Sequence, residues 1–154
     1  AYETVALMRL ARMDAIRHSA QGVVEVVPAD PDAGQYAAVR AFSDRNSNGV
    51  RDEGEPEIGH SLLPNRVEHR SPGGGPSVSG FDKHGSGGRA IFRNNGAVVD
   101  TGAFRFADDH DNFLEVAVVS TTGRIEVHKC RVCEDGDDDD DWHAQGEGWT
   151  WEWN

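Results

Sequence analysis

The first eighteen residues and the rest of the chain favour different backbones, and that contrast limits the fold more than any other feature. Ala1 to about His18 is made of good helix formers (Ala, Leu, Met, Arg, Glu) and has no Gly or Pro, which predicts a helix. Val5, Met8 and Ala15 fall near one face of it, and Ala6, Leu10 and Met13 near another, as a 3.6-residue repeat requires. The first half is apolar almost all round; Arg9, Arg12, Asp14 and Arg17 enter later. A helix apolar on most sides is a buried one or the trimmed end of something longer. Gly22 is its expected stop.

Short runs of strand character follow. Val23–Val27 is β-branched throughout but for Glu25, and Tyr36–Phe42, Arg89–Arg93, Ala97–Val99, Ala103–Phe106, Glu115–Ser120 and Arg124–His128 read the same way. Ile58–Leu63 and Arg66–His69 are expected as a hairpin or two short strands. Asn94-Asn95-Gly96 is a turn, and Thr121-Thr122-Gly123 joins the last two strands into a hairpin. Ser71–Gly88, rich in Gly, Ser and Pro, reads as a long solvated loop. One helix and about seven short strands make an α+β domain, with the helix packed on antiparallel β-sheet. The expected division is a globular domain over 1–133, with the helix in 1–20 and the strands in 21–133, and a tail over 134–154.

Between the second strand and Pro56 lies Asp44–Glu55, DRNSNGVRDEGE. Asp44, Asn46 and Asn48 alternate, Gly49 takes the sixth position, and Glu55 closes a twelve-residue span. That is the layout of a loop wrapped on a hard cation, in which oxygens are the ligands and a sharp bend needs glycine. By this scheme Asp44, Asn46 and Asn48 give side-chain oxygens and Val50 its carbonyl. Asp52 acts directly or through water, and Glu55 can bind with both oxygens. Calcium is the implied ion. The flanks oppose an EF-hand: the preceding segment is strand-like, the inner position is Arg51, and Pro56 resists a following helix. The competing reading is a turn-rich loop held by side-chain-to-backbone hydrogen bonds, with no metal. Both stay open on sequence.

The net charge of −12 is uneven. Residues 134–154 hold nine acids (Glu134, Asp135, Asp137 to Asp141, Glu147, Glu152) and no Lys or Arg. The body is thus nearly balanced and has no general basic face for nucleic acid. In the tail, Trp149, Trp151 and Trp153 alternate, which puts three indoles on one face of an extended segment. They are candidates for docking on the protein's own sheet or on a partner. Cys130 and Cys133 are the two cysteines. Outside a reducing compartment such a pair is expected as a local disulfide, with a zinc site shared with His128 and His143, or free or redox thiols, as the alternatives. No run of about 20 apolar residues occurs. The chain opens on Ala1 with neither Met nor a secretory signal, so a mature or trimmed product is expected.

Four stretches in series resemble the GspH/FimT family of type IV minor pilins and type II secretion minor pseudopilins. They are LARMDAIRHS at Leu10–Ser19, VRAFSDRNSNGVRDEGEPEI at Val39–Ile58, RAIFRNNG at Arg89–Gly96 and VAVVSTTGRI at Val116–Ile125. The resemblance implies a helix on antiparallel sheets, preceded in the full-length form by a hydrophobic segment anchored in the inner membrane before assembly. It implies a non-enzymatic subunit of the periplasm or cell surface that helps initiate or cap a pilus or pseudopilus, with other pilin or pseudopilin subunits as partners. One branch of the family takes up DNA through a Gly-Arg-x-Arg pattern. Here the sequence is Gly123, Arg124, Ile125, Glu126, with an acid where phosphate contact needs a base.

Two further classes deserve comparison. A secreted calcium-dependent binding module would use the Asp44 loop and the Trp face. An enzyme would need an activated Ser or Cys, or a general base, and none stands in a recognisable setting.

Overall fold

The computed structural model describes residues 1–130 and 142–144. Helix α1 covers Tyr2–His18 and ends at Ser19, which takes the left-handed conformation at φ 52°. Strands β1 (Gln21–Val27), β2 (Ala38–Asp44), β3 (Glu57–Leu62) and β6 (Ala90–Phe92) form a first sheet in the order β3-β2-β1-β6. The second sheet has the order β10-β9-β8-β7-β4. Its strands are β4 (Val67–Glu68), β7 (Gly102–Asp108), β8 (Phe113–Val118), β9 (Ile125–Cys130) and β10 (Trp142–Ala144). A further strand, β5 (Val78–Gly80), pairs with the Gly102 end of β7, while β4 pairs with the Asp108 end. All pairings are antiparallel. The fold is therefore one N-terminal helix on two antiparallel sheets, the expected α+β class.

The core lies between α1 and the inner faces of both sheets. Val5, Met8, Ala11 and Ala15 of α1 meet Val24, Val39 and Phe92 of the first sheet and Phe104, Val116 and Val118 of the second. The small residues let helix and sheet approach closely. A Cβ at Gly22 would sit 2.0 Å from the Ala11 carbonyl oxygen. Gly22 thus lies within β1 and admits the helix backbone, rather than ending the helix as its position suggested; Ser19 does that.

Of the two forms expected for Ile58–Leu63 and Arg66–His69, two short strands are found and not a hairpin: β3 joins β2 in the first sheet and β4 joins β7 in the second. Two other expectations are corrected. The Gly-rich stretch 71–88 is not wholly solvated, since Ser71, Phe81 and Ser86 are buried and β5 lies within it. Ala97–Val99 contributes one bridge, Phe92 to Val98, in place of a strand. The final hairpin forms as expected, with Val116 opposite Val127.

Candidate functional site

The loop after β2 folds into a single hydrogen-bonded knot. Asp44, fully buried at the strand end, accepts from the Asn48 N–H at Oδ1 (3.3 Å) and from the Gly49 N–H at Oδ2 (2.6 Å). Gly49 has φ 76°, a conformation glycine reaches without strain. Asn46 Oδ1 accepts the Asn48 N–H at 3.1 Å, and Asn48 Oδ1 accepts the Val50 N–H at 2.8 Å. Glu55, also buried, holds the Arg45 N–H at 2.7 Å and the Asp52 N–H at 3.0 Å, one on each oxygen. Asp52 Oδ2 accepts both side-chain amides, Asn46 Nδ2 and Asn48 Nδ2, each at 2.6 Å. The five side chains picked out by their spacing are thus linked in one network. The Val50 side chain is half exposed.

The donor set suits a hard cation, being three carboxylates and two amide oxygens. The hydrogen bonds set the terms for one. Amide nitrogens of Asn46 and Asn48, not oxygens, face Asp52. Their oxygens bond backbone N–H groups but retain a second lone pair. A cation held by Asp44, Asn46, Asn48, Asp52 and Glu55 would have to displace the two amide donors from Asp52. The loop also has a packing role: a Cβ on Gly49 would stand 3.6 Å from Ile91 Cδ1. The loop therefore lies over Ile91, which forms a small cluster with Val23, Phe42 and Val99 on the outer face of the first sheet.

A second group of close ligand atoms, Asp108, Asp109 and His110, sits at the β7–β8 turn. Asp108 serves the turn itself. Burial pushes its carboxyl up, but hydrogen bonds from Asn112 and the His110 N–H hold it below the ordinary aspartate range.

Sequence reading passed over Ser86, His84 and Asp100. Ser86 Oγ donates to Asp100 Oδ2 at 2.6 Å, and His84 Nδ1 lies 2.5 Å from Asp100 Oδ1. Serine and histidine bind opposite oxygens of one carboxylate, so the Ser86 hydroxyl donates to Asp100 and not to the imidazole. Nucleophile activation needs the reverse order. A cavity of about 560 Å³ is walled by Leu63, Pro64, Val67, Phe106 and Leu114, with Glu3 and Asp108 also lining it.

The other face of α1 is a surface. Tyr2, Leu10, Met13 and Ile16 are 57%, 48%, 49% and 50% exposed, and Ala6 is exposed between them. Residues 1–123 match the family described as type II transport protein GspH. The chain belongs to that family. Comparison with curated proteins and with solved structures finds no match. GspH-family proteins are structural pseudopilins, and membership implies a minor pseudopilin role in type II secretion or type IV pili, with other pseudopilin subunits as partners. Among the described residues, no helix of this GspH-family chain is long and apolar enough to cross a membrane. Cys130 is buried beside Ala107, Phe113 and Trp142. Its expected partner Cys133 and the three alternating tryptophans, Trp149, Trp151 and Trp153, lie outside the described residues.

Proposed function

We propose that this chain is a non-enzymatic minor pilin or pseudopilin subunit, which uses the outer face of α1 to pack against other subunits and helps initiate or cap the filament. The carrying observation is the set of half-exposed apolar side chains, Tyr2, Leu10, Met13 and Ile16, on the outward side of one helix, with the exposed Arg9 and Arg17 among them. Large apolar side chains clustered at a surface mark contact with another protein. In this reading the globular domain faces the periplasm or the cell surface, and a preceding hydrophobic segment anchors the full-length protein in the inner membrane before assembly. The test is photo-cross-linking from positions 10 and 13 in cells that assemble the filament. Adducts with pilin-class subunits are expected. Paired Leu10→Lys and Met13→Lys changes should stop incorporation while shifting unfolding free energy by no more than about 0.5 kcal/mol, as surface changes do. Unchanged incorporation would refute this use of the helix.

Calcium binding by the Asp44 loop is a second, separable reading, favoured by the convergence of Asp44, Asn46, Asn48, Asp52 and Glu55 in one network. In it the Val50 carbonyl completes the ligand set, and the ion ties β2 to the start of β3. A ligand at about a hundred times its Kd adds ~2.7 kcal/mol to stability, so a thermal melt in calcium against chelator decides it; superimposed melts rule the site out. A Cys130–Cys133 disulfide and partner contacts through Trp149, Trp151 and Trp153 complete the proposed surface chemistry. DNA uptake is disfavoured, because Arg124 is held 2.9 Å from Glu126.

A further inference from the structure

Both ring nitrogens of His128 face carboxylates. Nδ1 lies 2.8 Å from Glu115 Oε1 on the neighbouring strand β8, and Nε2 lies 3.1 Å from Glu126 Oε2 on β9 itself. A neutral imidazole has one N–H and one lone pair. It could donate to only one of these carboxylates and would set its lone pair against the other. The imidazolium donates to both, so the geometry is that of the protonated ring. The hydrogen bond to Glu115, aided by that to Glu126, keeps His128 protonated above the ordinary histidine range despite its burial.

This proton sits in a chain of contacts that ends on the C-terminal strand. Glu115 Oε2 accepts from Arg105 Nε at 3.1 Å, and Arg105 Nη1 donates to Ser71 Oγ at 3.0 Å. The Arg105 guanidinium also lies over the Trp142 ring, 5.1 Å from its centre. Trp142 opens β10, and Ala144, at its other end, stands opposite His128 in the ladder. Among the described residues, the charged groups around His128 are Glu115 from β8 and Glu126 from β9. Arg105 from β7 stands one step beyond Glu115, and Arg124 one step beyond Glu126. Arg105 and Glu115 are nearly fully buried, where an unpaired charge is costly.

We propose that His128 is a pH-operated latch: protonated, it keeps Glu115 and Arg105 in the arrangement on which Trp142 stacks, and deprotonated, it releases β10 from β9. Loss of the proton turns one ring nitrogen into an acceptor facing a carboxylate. Glu115 then shifts toward its remaining partner, and the guanidinium face under Trp142 moves with it. β10 is three residues long, so few ladder hydrogen bonds oppose its departure. Its release uncovers the edge of β9, and an open edge accepts a strand from another subunit. The sign follows from the raised value: the latch is fully closed below the ordinary histidine pKa of about 6.5 and opens as pH climbs through the folded-state value.

The experiment uses the full chain, isotopically labelled, from about pH 5.5 to about pH 8.5. The His128 ring is titrated by NMR, and amide exchange at Trp142–Ala144 is followed with correction for intrinsic rates. The ring should titrate above about 6.5, and protection at 142–144 should fall along the same curve by about tenfold per pH unit while β7 and β8 stay protected. Glu126→Gln, which removes one carboxylate and keeps the shape, should move both curves together to lower pH. A ring titrating at or below the free value overturns the latch. So does β10 protection that ignores the His128 titration, or a Glu126→Gln change that moves one curve without the other.

Discussion

The two sheets present similar apolar faces to the core but finish their outer faces differently. On the first, Val23, Phe42 and Ile91 form a small dry cluster, and the Asp44 loop lies over it. That loop can cover apolar side chains because its carboxylates and amides are bonded within it. On the second, the outward positions of β7, β8 and β9 carry Arg105, Glu115 and His128, and Ser71 and Trp142 are held against the guanidinium. An apolar cluster loses stability in proportion to the atoms removed. A buried charge network fails when one member goes, because the others are left unpaired. The first sheet is thus closed by a loop bonded within itself, and the second by a charge network joined through one histidine.

The largest expected effect tests that distinction directly. Arg105→Met leaves Glu115 buried without its guanidinium and should cost about 3–5 kcal/mol in chemical denaturation. Adding Glu115→Leu should recover most of the loss, since paired replacement of buried ions by apolar groups is near neutral. On the first sheet, Ile91→Val should cost only about 0.5–1.5 kcal/mol. If the Arg105 change cost no more than the Ile91 change, the contrast between the faces would be wrong. The Asp44 loop comes next. Asp44→Ala strands the N–H groups of Asn48 and Gly49, one of them at a buried contact, and should cost roughly 1–3 kcal/mol.

Local features were legible in the sequence, and contacts between distant segments were not. The two faces of α1 sorted as their spacing indicated: Val5, Met8 and Ala15 are buried, and Ala6, Leu10 and Met13 are exposed. The alternation of Asp44, Asn46 and Asn48 before Gly49 encodes a knot whose bonds span at most ten residues, so its convergence could be read directly. Gly22 misled because its purpose is the Ala11 backbone eleven residues away, and nothing beside it in the chain signals that. β5 is three residues held to the edge of β7, too short for any alternation to show. The His128 contacts fall between. Once the β8–β9 hairpin is drawn in register, Glu115 stands opposite His128, so the pair could have been found by carrying the hairpin through to its cross-strand neighbours.

The smallest expected effect sharpens the comparison by running in the opposite pH direction. Asp100, just before β7, anchors the segment that carries His84 and Ser86. Burial pushes its carboxyl up, but hydrogen bonds from Ser86 Oγ and from the backbone and ring of His84 more than offset this and bring it from 3.8 to about 2. A depressed carboxyl contributes stability that is present above its unfolded value and lost as pH falls through the folded one. The 81–88 segment should therefore loosen between about pH 4 and about pH 2, whereas β10 should loosen as pH rises through the raised His128 value. Ser86→Ala removes one of the bonds holding the ionised form. It should cost ~1 kcal/mol at neutral pH and move the acid transition upward, with β10 exchange unaffected because, among the described residues, the Ser86 hydroxyl bonds to Asp100 and not to a member of the Arg105 network. Amide exchange across the whole chain would register both ends in one titration. Coupled loosening of the two segments at either end would mean that the sheets do not hold their outer faces independently.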